Sequence, residues 1–212
     1  MPKQTFQSGQ SGKIQKSKKK KRGRPKKSEY HRKTMQERKP IFLIQKHDTN
    51  GVHYDFRLEI GGYLKSWMIP DGPSLAPSER RRALEMEEKS FEGISFEGYL
   101  PDGDHGEGLV MMWDHGTYKN LGKEKENDVS IEKMYEGGEV RVFLEGEKLR
   151  GGFMLLCPDM EETNPERREW ILIKIKDKEA DARKKPINSQ PKSVLSGKTL
   201  EQMKREFRKA NR

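Results

Sequence analysis

Cysteine and long apolar runs are almost missing from this sequence. Cys157 is the single cysteine in 212 residues, which excludes an internal disulfide and a cysteine-based zinc cluster and fits a reducing compartment. No stretch is apolar for long enough to predict a membrane-spanning helix, and no hydrophobic signal segment follows Met1. We therefore expect a soluble intracellular protein with no membrane partner.

Hydrophobic residues are also few, at 31% of the chain against 37% charged residues, so part of the chain is expected to lack a packed core. The charges are unevenly spread. Residues 1–40 hold 15 Lys/Arg and 2 Asp/Glu, residues 183–212 hold 10 and 2, and the middle holds 19 and 30. Two basic arms around an acidic domain indicate a polyanionic partner, with nucleic acid the first candidate.

The N-terminal arm, residues 1–39, is rich in Gln, Ser, Gly and Lys, a composition that predicts disorder. Within it lies an AT-hook-like motif made of Lys21, Arg22, Gly23, Arg24, Pro25 and Lys26. An Arg-Gly-Arg-Pro core suits the narrow minor groove of A·T-rich DNA, because flat guanidinium groups fit its concentrated negative potential. The alternative is a generic basic arm, or a nuclear-import-like patch, that holds phosphates without selectivity.

The stretch from Gln45 to Glu59 holds several side chains that can bind a metal or a phosphate. Side chains on a strand alternate between two faces, so one face receives His53, Asp55, Arg57 and Glu59, and the core face receives Val52, Tyr54, Phe56 and Leu58. The pair Asn50-Gly51 predicts a tight hairpin turn that returns His47 beside His53 and Asp55. Two imidazoles and a carboxylate predict a metal site with open positions, and Arg57 suits a phosphate. The plainer interpretation is that these are satisfied polar side chains of a strand.

Short apolar segments recur along the middle of the chain. Strands are predicted at residues 41–45, 52–59, 63–69, 83–87, 91–99, 109–113, 139–145, 148–157 and 170–176. Eight or nine strands at short spacing predict an all-β barrel or sandwich, with the folded domain at residues 40–178. A short helical turn is expected at 78–82. The basic remainder, residues 179–212, is predicted to be a linker followed by a C-terminal helix. The helix is expected to begin at Leu200, because Thr199 and Gln202 have the spacing of a capping box.

Several short motifs follow one another between Phe42 and Lys176. They are Gln-Lys-His (45–47), His-Tyr-Asp-Phe-Arg-Leu-Glu (53–59), Leu-Lys-Ser-Trp (64–67), Pro-x-Gly-Pro-Ser (70–74), Phe-Glu-Gly (96–98), Gly-x-Gly (106–108), Trp-Asp-x-Gly (113–116), Gly-Glu-Lys-Leu-x-Gly (146–151) and Trp-Ile-Leu-Ile-Lys (170–174). Together they resemble the 3′-phosphoesterase domain of bacterial DNA ligase D. The tail from Pro191 to Glu201 resembles the linker that precedes the ligase domain in the full-length enzyme, so the chain resembles a stand-alone member.

The resemblance implies a mainly antiparallel β-barrel enzyme with short helices. It implies a divalent metal, with Mn²⁺ preferred and Zn²⁺ or Co²⁺ possible. It also implies removal of a 3′-ribonucleotide or a 3′-phosphate at DNA ends in repair and end joining. The implied roles are metal ligands (His47, His53, Asp55), phosphate-contacting arginines (Arg57, Arg81), an active-site carboxylate (Glu87) and a supporting polar residue (Gln45). The implied partners are DNA primer-template ends and separate ligase, polymerase and Ku-type proteins, and the implied place is the nucleoid-associated cytoplasm of a prokaryote, or the nucleus of a eukaryote.

Three positions depart from the family pattern. Asp71 stands where the family has a phosphate-holding lysine, Lys89 where it has a histidine, and Gly93 where it has a tyrosine. A lysine has a reference pKa of about 10.4 and cannot exchange protons at neutral pH as histidine does. His105 and His115 are candidates to replace that histidine, or are exposed loop residues.

Three functions remain open on the sequence alone. The first is an active 3′-end phosphoesterase, with either a normal or an impaired phosphomonoesterase step. The second is a catalytically inactive DNA-end-binding module. The third is a non-haem iron oxygenase, since two histidines and one carboxylate also describe that site, although the arginines and basic arms have no role in it.

Overall fold

The computed structural model describes residues 38–49, 51–101, 107–124, 127–161 and 168–211. The AT-hook-like residues Lys21 to Lys26 lie outside this part of the chain, as do His105 and Asn50 of the predicted turn. Within the described ranges, no helix has both the length and the apolar character that crossing a bilayer requires.

Eight antiparallel strands close into a barrel. In spatial order they are β1 (Ile41–Asp48), β2 (Val52–Ile60), β3 (Tyr63–Ile69), β4 (Arg80–Lys89), β11 (Glu169–Lys174), β10 (Arg150–Leu156), β9 (Glu139–Gly146) and β6 (Gly108–Asn120), and β6 pairs with β1 to complete the circle. A short strand, β5 (Gly98–Leu100), pairs antiparallel with the first residues of β6. Strands β7 (Lys123–Glu124) and β8 (Asn127–Asp128) form a separate two-stranded sheet. The predicted all-β barrel is confirmed.

Three short helices accompany the barrel in the described part of the chain, namely α1 (Ile131–Glu136), α2 (Pro186–Ser189) and α3 (Leu200–Ala210). The predicted C-terminal helix is thus confirmed, and its capping box forms, because Thr199 and Gln202 each bond the backbone N–H of the other. Leu200 and Met203 are buried and belong to the main core. The helix is therefore packed on the barrel rather than extended away from it.

The inner face of the barrel is the main core. Tyr54, Phe56 and Leu58 point inward from β2, as their alternation predicts, and three fully buried tryptophans, Trp67, Trp113 and Trp170, fill the interior. Val52 was predicted on this face but is 47% exposed, because it is the first residue of β2 and lies at the rim, beyond the packed interior. A second, smaller cluster of Leu43, Leu64 and Met112 lies apart from this core, on the outer face of the same strands.

The helical turn predicted at residues 78–82 is wrong in its second half. Strand β4 already begins at Arg80, and Arg80, Arg81 and Arg82 pair with β11, because a barrel with no free edge requires β4 to bridge β3 and β11. Glu85, in turn, is buried on the core side, where its carboxylate accepts from Trp170 Nε1 at 2.7 Å and from the Tyr135 hydroxyl.

Candidate metal centre

The β1–β2 hairpin brings three chemistry-bearing side chains together. Strand β1 continues through His47 to Asp48, so His47 lies within the strand and not in the turn, and the connection spans residues 49–51. In the register of the pair, His47 lies opposite His53, and Gln45 opposite Asp55. Strand alternation then places His47, His53 and Asp55 on one face, as the sequence predicts.

The three side chains are close enough to share an ion. All are buried, at 5%, 8% and 0% exposure for His47, His53 and Asp55, and one ligand atom from each lies within 4.8 Å of the others. His47 Nε2 is 3.2 Å from Asp55 Oδ2, and His53 Nε2 is 3.7 Å from Asp55 Oδ1. Ligands at 2.0–2.2 Å from a common ion are separated by about 3.0–3.6 Å. The first separation lies in this range and the second lies just beyond it.

The donor set and its burial support the same fit. Asp55 Oδ1 is buried and accepts no hydrogen bond from the described residues, although a buried carboxylate oxygen normally has a partner. The imidazole rings stack with centroids 5.0 Å apart and planes inclined by 21°. Two imidazoles and a carboxylate suit Mn²⁺, Zn²⁺, Co²⁺ or Fe²⁺, so the geometry identifies a candidate divalent metal centre and not one metal.

Arg57 lies beside the three candidate metal ligands and contacts one of them, Asp55. Its Nη2 donates to Asp55 Oδ2 at 2.9 Å, which orients the carboxylate and balances its charge. The Arg57 Nε is buried and has no hydrogen-bond partner among the described residues. One donor of the guanidinium is thus engaged, while Nε makes no hydrogen bond within the described residues.

A loop and the C-terminal segment cover the outer face beside the cluster. Gln45 is buried, and its amide donates to the Phe96 carbonyl at 3.4 Å. The next residue, Glu97, accepts from the Met112 N–H at 2.7 Å and from the Ser193 hydroxyl. Gln45 is therefore joined to this loop by a hydrogen bond, and Asp55 is buried although it lies on the outer face.

The residues predicted on β4 are not gathered in the same way. Arg81 lies opposite Leu172 of the inner face, and its guanidinium pairs with Glu79. The pKa of Glu79 is lowered to about 2, chiefly by the hydrogen bond from Lys185, with a smaller contribution from Arg81. Arg81 is thus held in a separate charged cluster.

A register shift alters the end of β4. Ser66 pairs with Met86 but Leu64 pairs with Lys89, so two residues of β4 face Lys65 alone. Glu88 takes the ion pair with Lys65, and Lys89 lies opposite Leu64, on the face that carries Arg57. Glu87 is exposed, two strands away from Arg57.

The sequence matches a known protein family. Residues 45–157, more than half of the chain, match the family described as the DNA ligase D 3′-phosphoesterase domain. The chain is a member of the DNA ligase D 3′-phosphoesterase family.

Relatives within the phosphoesterase family are much longer proteins. The chain is 38% identical over 161 residues to the multifunctional non-homologous end joining protein LigD of Pseudomonas aeruginosa, which covers 75% of the chain and 18% of that protein. It is 36% identical over 138 residues to the multifunctional non-homologous end joining DNA repair protein LigD of Mycobacterium tuberculosis, with 64% and 16% covered. The chain therefore spans less than a fifth of the length of these curated relatives.

Two positions that depart from the phosphoesterase family pattern, and one candidate to replace the family histidine, lie in three different settings. Asp71 is exposed in the turn after β3, whose last residue, Ile69, pairs with the neighbour of His53. Gly93 has a φ of +67°, so this backbone is left-handed where the family has tyrosine. His115, predicted in a loop, lies in β6 opposite Leu43 and 3.7 Å from Glu147. It is about 16 Å along the strand from Val110, the partner of His47.

One contact of this phosphoesterase-family site was not predicted. Both Nη atoms of Arg38 donate to Glu59, at 2.8 and 2.7 Å, and the N–H of Ile41 donates to the same carboxylate. Glu59 was placed on the outer face by alternation, but its partner lies in the segment assigned to the arm. The local pattern carries no signal for a pair 21 residues apart, so Arg38 contacts the barrel although it precedes the predicted domain boundary at residue 40.

Proposed function

We propose that this protein is a metal-dependent phosphoesterase that processes the 3′ ends of DNA during repair and end joining. The buried cluster of His47, His53 and Asp55, with Arg57 bonded to it, is the observation that carries the proposal. Membership of the DNA ligase D 3′-phosphoesterase family supports the reaction class. The substrates we propose are DNA primer-template ends, with separate ligase, polymerase and Ku-type proteins as partners.

The residues divide the chemistry among them. A divalent ion held by His47, His53 and Asp55, with Mn²⁺ the first choice, would polarise a phosphoryl oxygen and make the phosphorus more electrophilic. Arg57 lies beside the cluster and is placed to bind a phosphate oxygen and to balance the charge that develops on it. Gln45 and the loop around Phe96 exclude water from one side of the site.

The charges at the positions expected to bind phosphate indicate which DNA ends are processed. A 3′-phosphate monoester is a dianion and needs more positive charge than the singly charged diester of a 3′-ribonucleotide end. Asp71 brings a negative charge where the family has a lysine, and Glu79 engages Arg81. We propose that the diester is the better substrate and that the monoesterase step is impaired.

A catalytically inactive DNA-end-binding module is the second candidate. It is favoured by the ion pair that Arg81 forms with Glu79 and not with a residue of the metal cluster. In this alternative the metal cluster stabilises the fold or binds a terminal phosphate without turnover.

Two primer-templates separate the candidates. One ends in a 3′-ribonucleotide and the other in a 3′-phosphate, and both are incubated with Mn²⁺, with Zn²⁺ or Co²⁺, or with a chelator. We expect metal-dependent removal of the ribonucleotide that is lost in His53→Ala and retained in the surface control Glu88→Gln. Binding of the ends without any processing would establish the inactive module instead.

A further inference from the structure

The metal cluster lies in the part of the chain that repels nucleic acid. Residues 41–182 hold 19 basic and 30 acidic residues, and a net negative domain disfavours the approach of a polyanion. Cations from elsewhere in the chain must therefore supply contacts for a nucleic-acid strand. Of the described chain outside this acidic part, the C-terminal segment holds most of the positive charge.

Helix α3 holds part of that charge in a fixed position. Its first turn is closed by the capping box, and Leu200 and Met203 are buried in the main core. Phe207 stacks on Tyr99 of β5, with ring centroids 4.1 Å apart and planes inclined by 19°. Contacts at both ends of the helix fix its orientation on the barrel.

The helix crosses the barrel rim next to the metal cluster. Lys204 forms an ion pair with Asp48, the residue that follows His47. Across the sheet, Tyr99 pairs with Leu109, and Leu109 pairs with Asp48. Helix α3 therefore lies at the end of the barrel, on the core side of the strand row immediately beyond the pair of His47 and His53.

Three cations on α3 have no ion-pair partner in the described part of the chain. They are Arg205, Arg208 and Lys209, all exposed, whereas Lys204 is paired with Asp48 and Glu206 with Lys198. Residues three and four apart are neighbours on a helix surface, so the three form one cationic face. Arginine suits bidentate contact with a phosphate group.

We propose that Arg205, Arg208 and Lys209 bind the phosphate backbone of the nucleic-acid strand whose end reaches the metal cluster. This inference rests on the proposed function, since it names the surface that holds the substrate. The contacts are to phosphates, so they strengthen binding equally for all base sequences and make it depend on salt.

Two triple variants of the full chain test the surface. The first is Arg205→Gln/Arg208→Gln/Lys209→Gln, and the matched control, Arg82→Gln/Arg141→Gln/Lys178→Gln, removes the same charge from other exposed sites. Binding of a duplex with a recessed 3′ end is followed by fluorescence anisotropy over a range of KCl concentrations. Thermal unfolding and Co²⁺ titration check that both variants keep the fold and the metal cluster.

We expect the α3 variant to bind at least about tenfold more weakly at low salt and to flatten the slope of log affinity against log salt by about 2–3, since each lost phosphate contact contributes about 0.9. The control should change the slope by less than about 1. Equal slopes for the two variants, or a wild-type chain that does not bind the duplex, would overturn the inference. If the wild type binds with the expected slopes but processes no end, only the proposed reaction is refuted.

Discussion

The β1–β2 half of the site and the β4 half are built by the same antiparallel pairing, yet they end in different arrangements. The pairing of β1 with β2 has no register shift between the pair Phe42–Leu58 and the pair Asp48–Val52. His47, His53 and Asp55 therefore converge. On β4, a register shift separates Met86 from Lys89.

Charge pairing adds to the difference between the halves. In the first half, Arg57 binds Asp55 and strengthens the cluster. In the second, Arg81 binds Glu79, outside the cluster. Convergence of side chains therefore depends on an unbroken register and on ion pairs that lie within the site.

Removal of a ligand from the β1–β2 half should have the largest effect. Asp55→Asn keeps the shape of the side chain but loses the charge that binds a cation and Arg57. We expect the affinity for Co²⁺, followed by its visible absorption, to fall at least about 100-fold, more than loss of an outer contact produces. Glu88→Gln is the control on β4, and equal affinities for the two variants would contradict the cluster as a metal site.

The two arginines provide a direct contrast between the halves. Arg57→Gln should slow removal of a 3′-ribonucleotide by about 30-fold, roughly 2 kcal/mol of transition-state stabilisation. Arg81→Gln should slow it by less than about threefold, because Glu79 already engages that guanidinium. Rates are measured with saturating metal, and a larger effect of Arg81→Gln would place it in the site.

Restoring the family residues should repair the weaker half. Asp71→Lys changes the charge in the turn after β3 by two units, and Lys89→His supplies a group that titrates near neutral pH. We expect removal of a 3′-phosphate to rise at least about tenfold, or roughly 1.4 kcal/mol, with little change for the ribonucleotide end. Efficient 3′-phosphate removal by the unaltered protein would show that another residue fills this role.

The third altered position is expected to affect stability and not activity. Gly93 has a φ of +67°, and no heavy atom lies within 4 Å of an added Cβ, so the backbone and not the space opposes a side chain. Gly93→Tyr should lower the free energy of unfolding by about 1–2 kcal/mol. The same tyrosine at the exposed neighbour, Glu92→Tyr, should cost much less in urea unfolding. Equal costs would mean that the loop adapts to the family residue.

Local pattern predicted a large part of this protein. Alternation along residues 52–59 placed Asp55 and Arg57 on the face opposite Phe56, and short-range rules placed the capping box at Thr199 and Gln202. These features could be read because a strand repeats every two residues and a helix start has a fixed spacing.

Tertiary structure decided the rest. Closure of the barrel made a strand of Arg80 to Arg82, and long-range ion pairs joined Arg38 to Glu59 and Lys204 to Asp48. The sequence by itself determined which side chains share a face of the β1–β2 hairpin. Only the folded barrel decided which distant charges neutralise one another, because such pairs depend on strand order and docking and not on any local period.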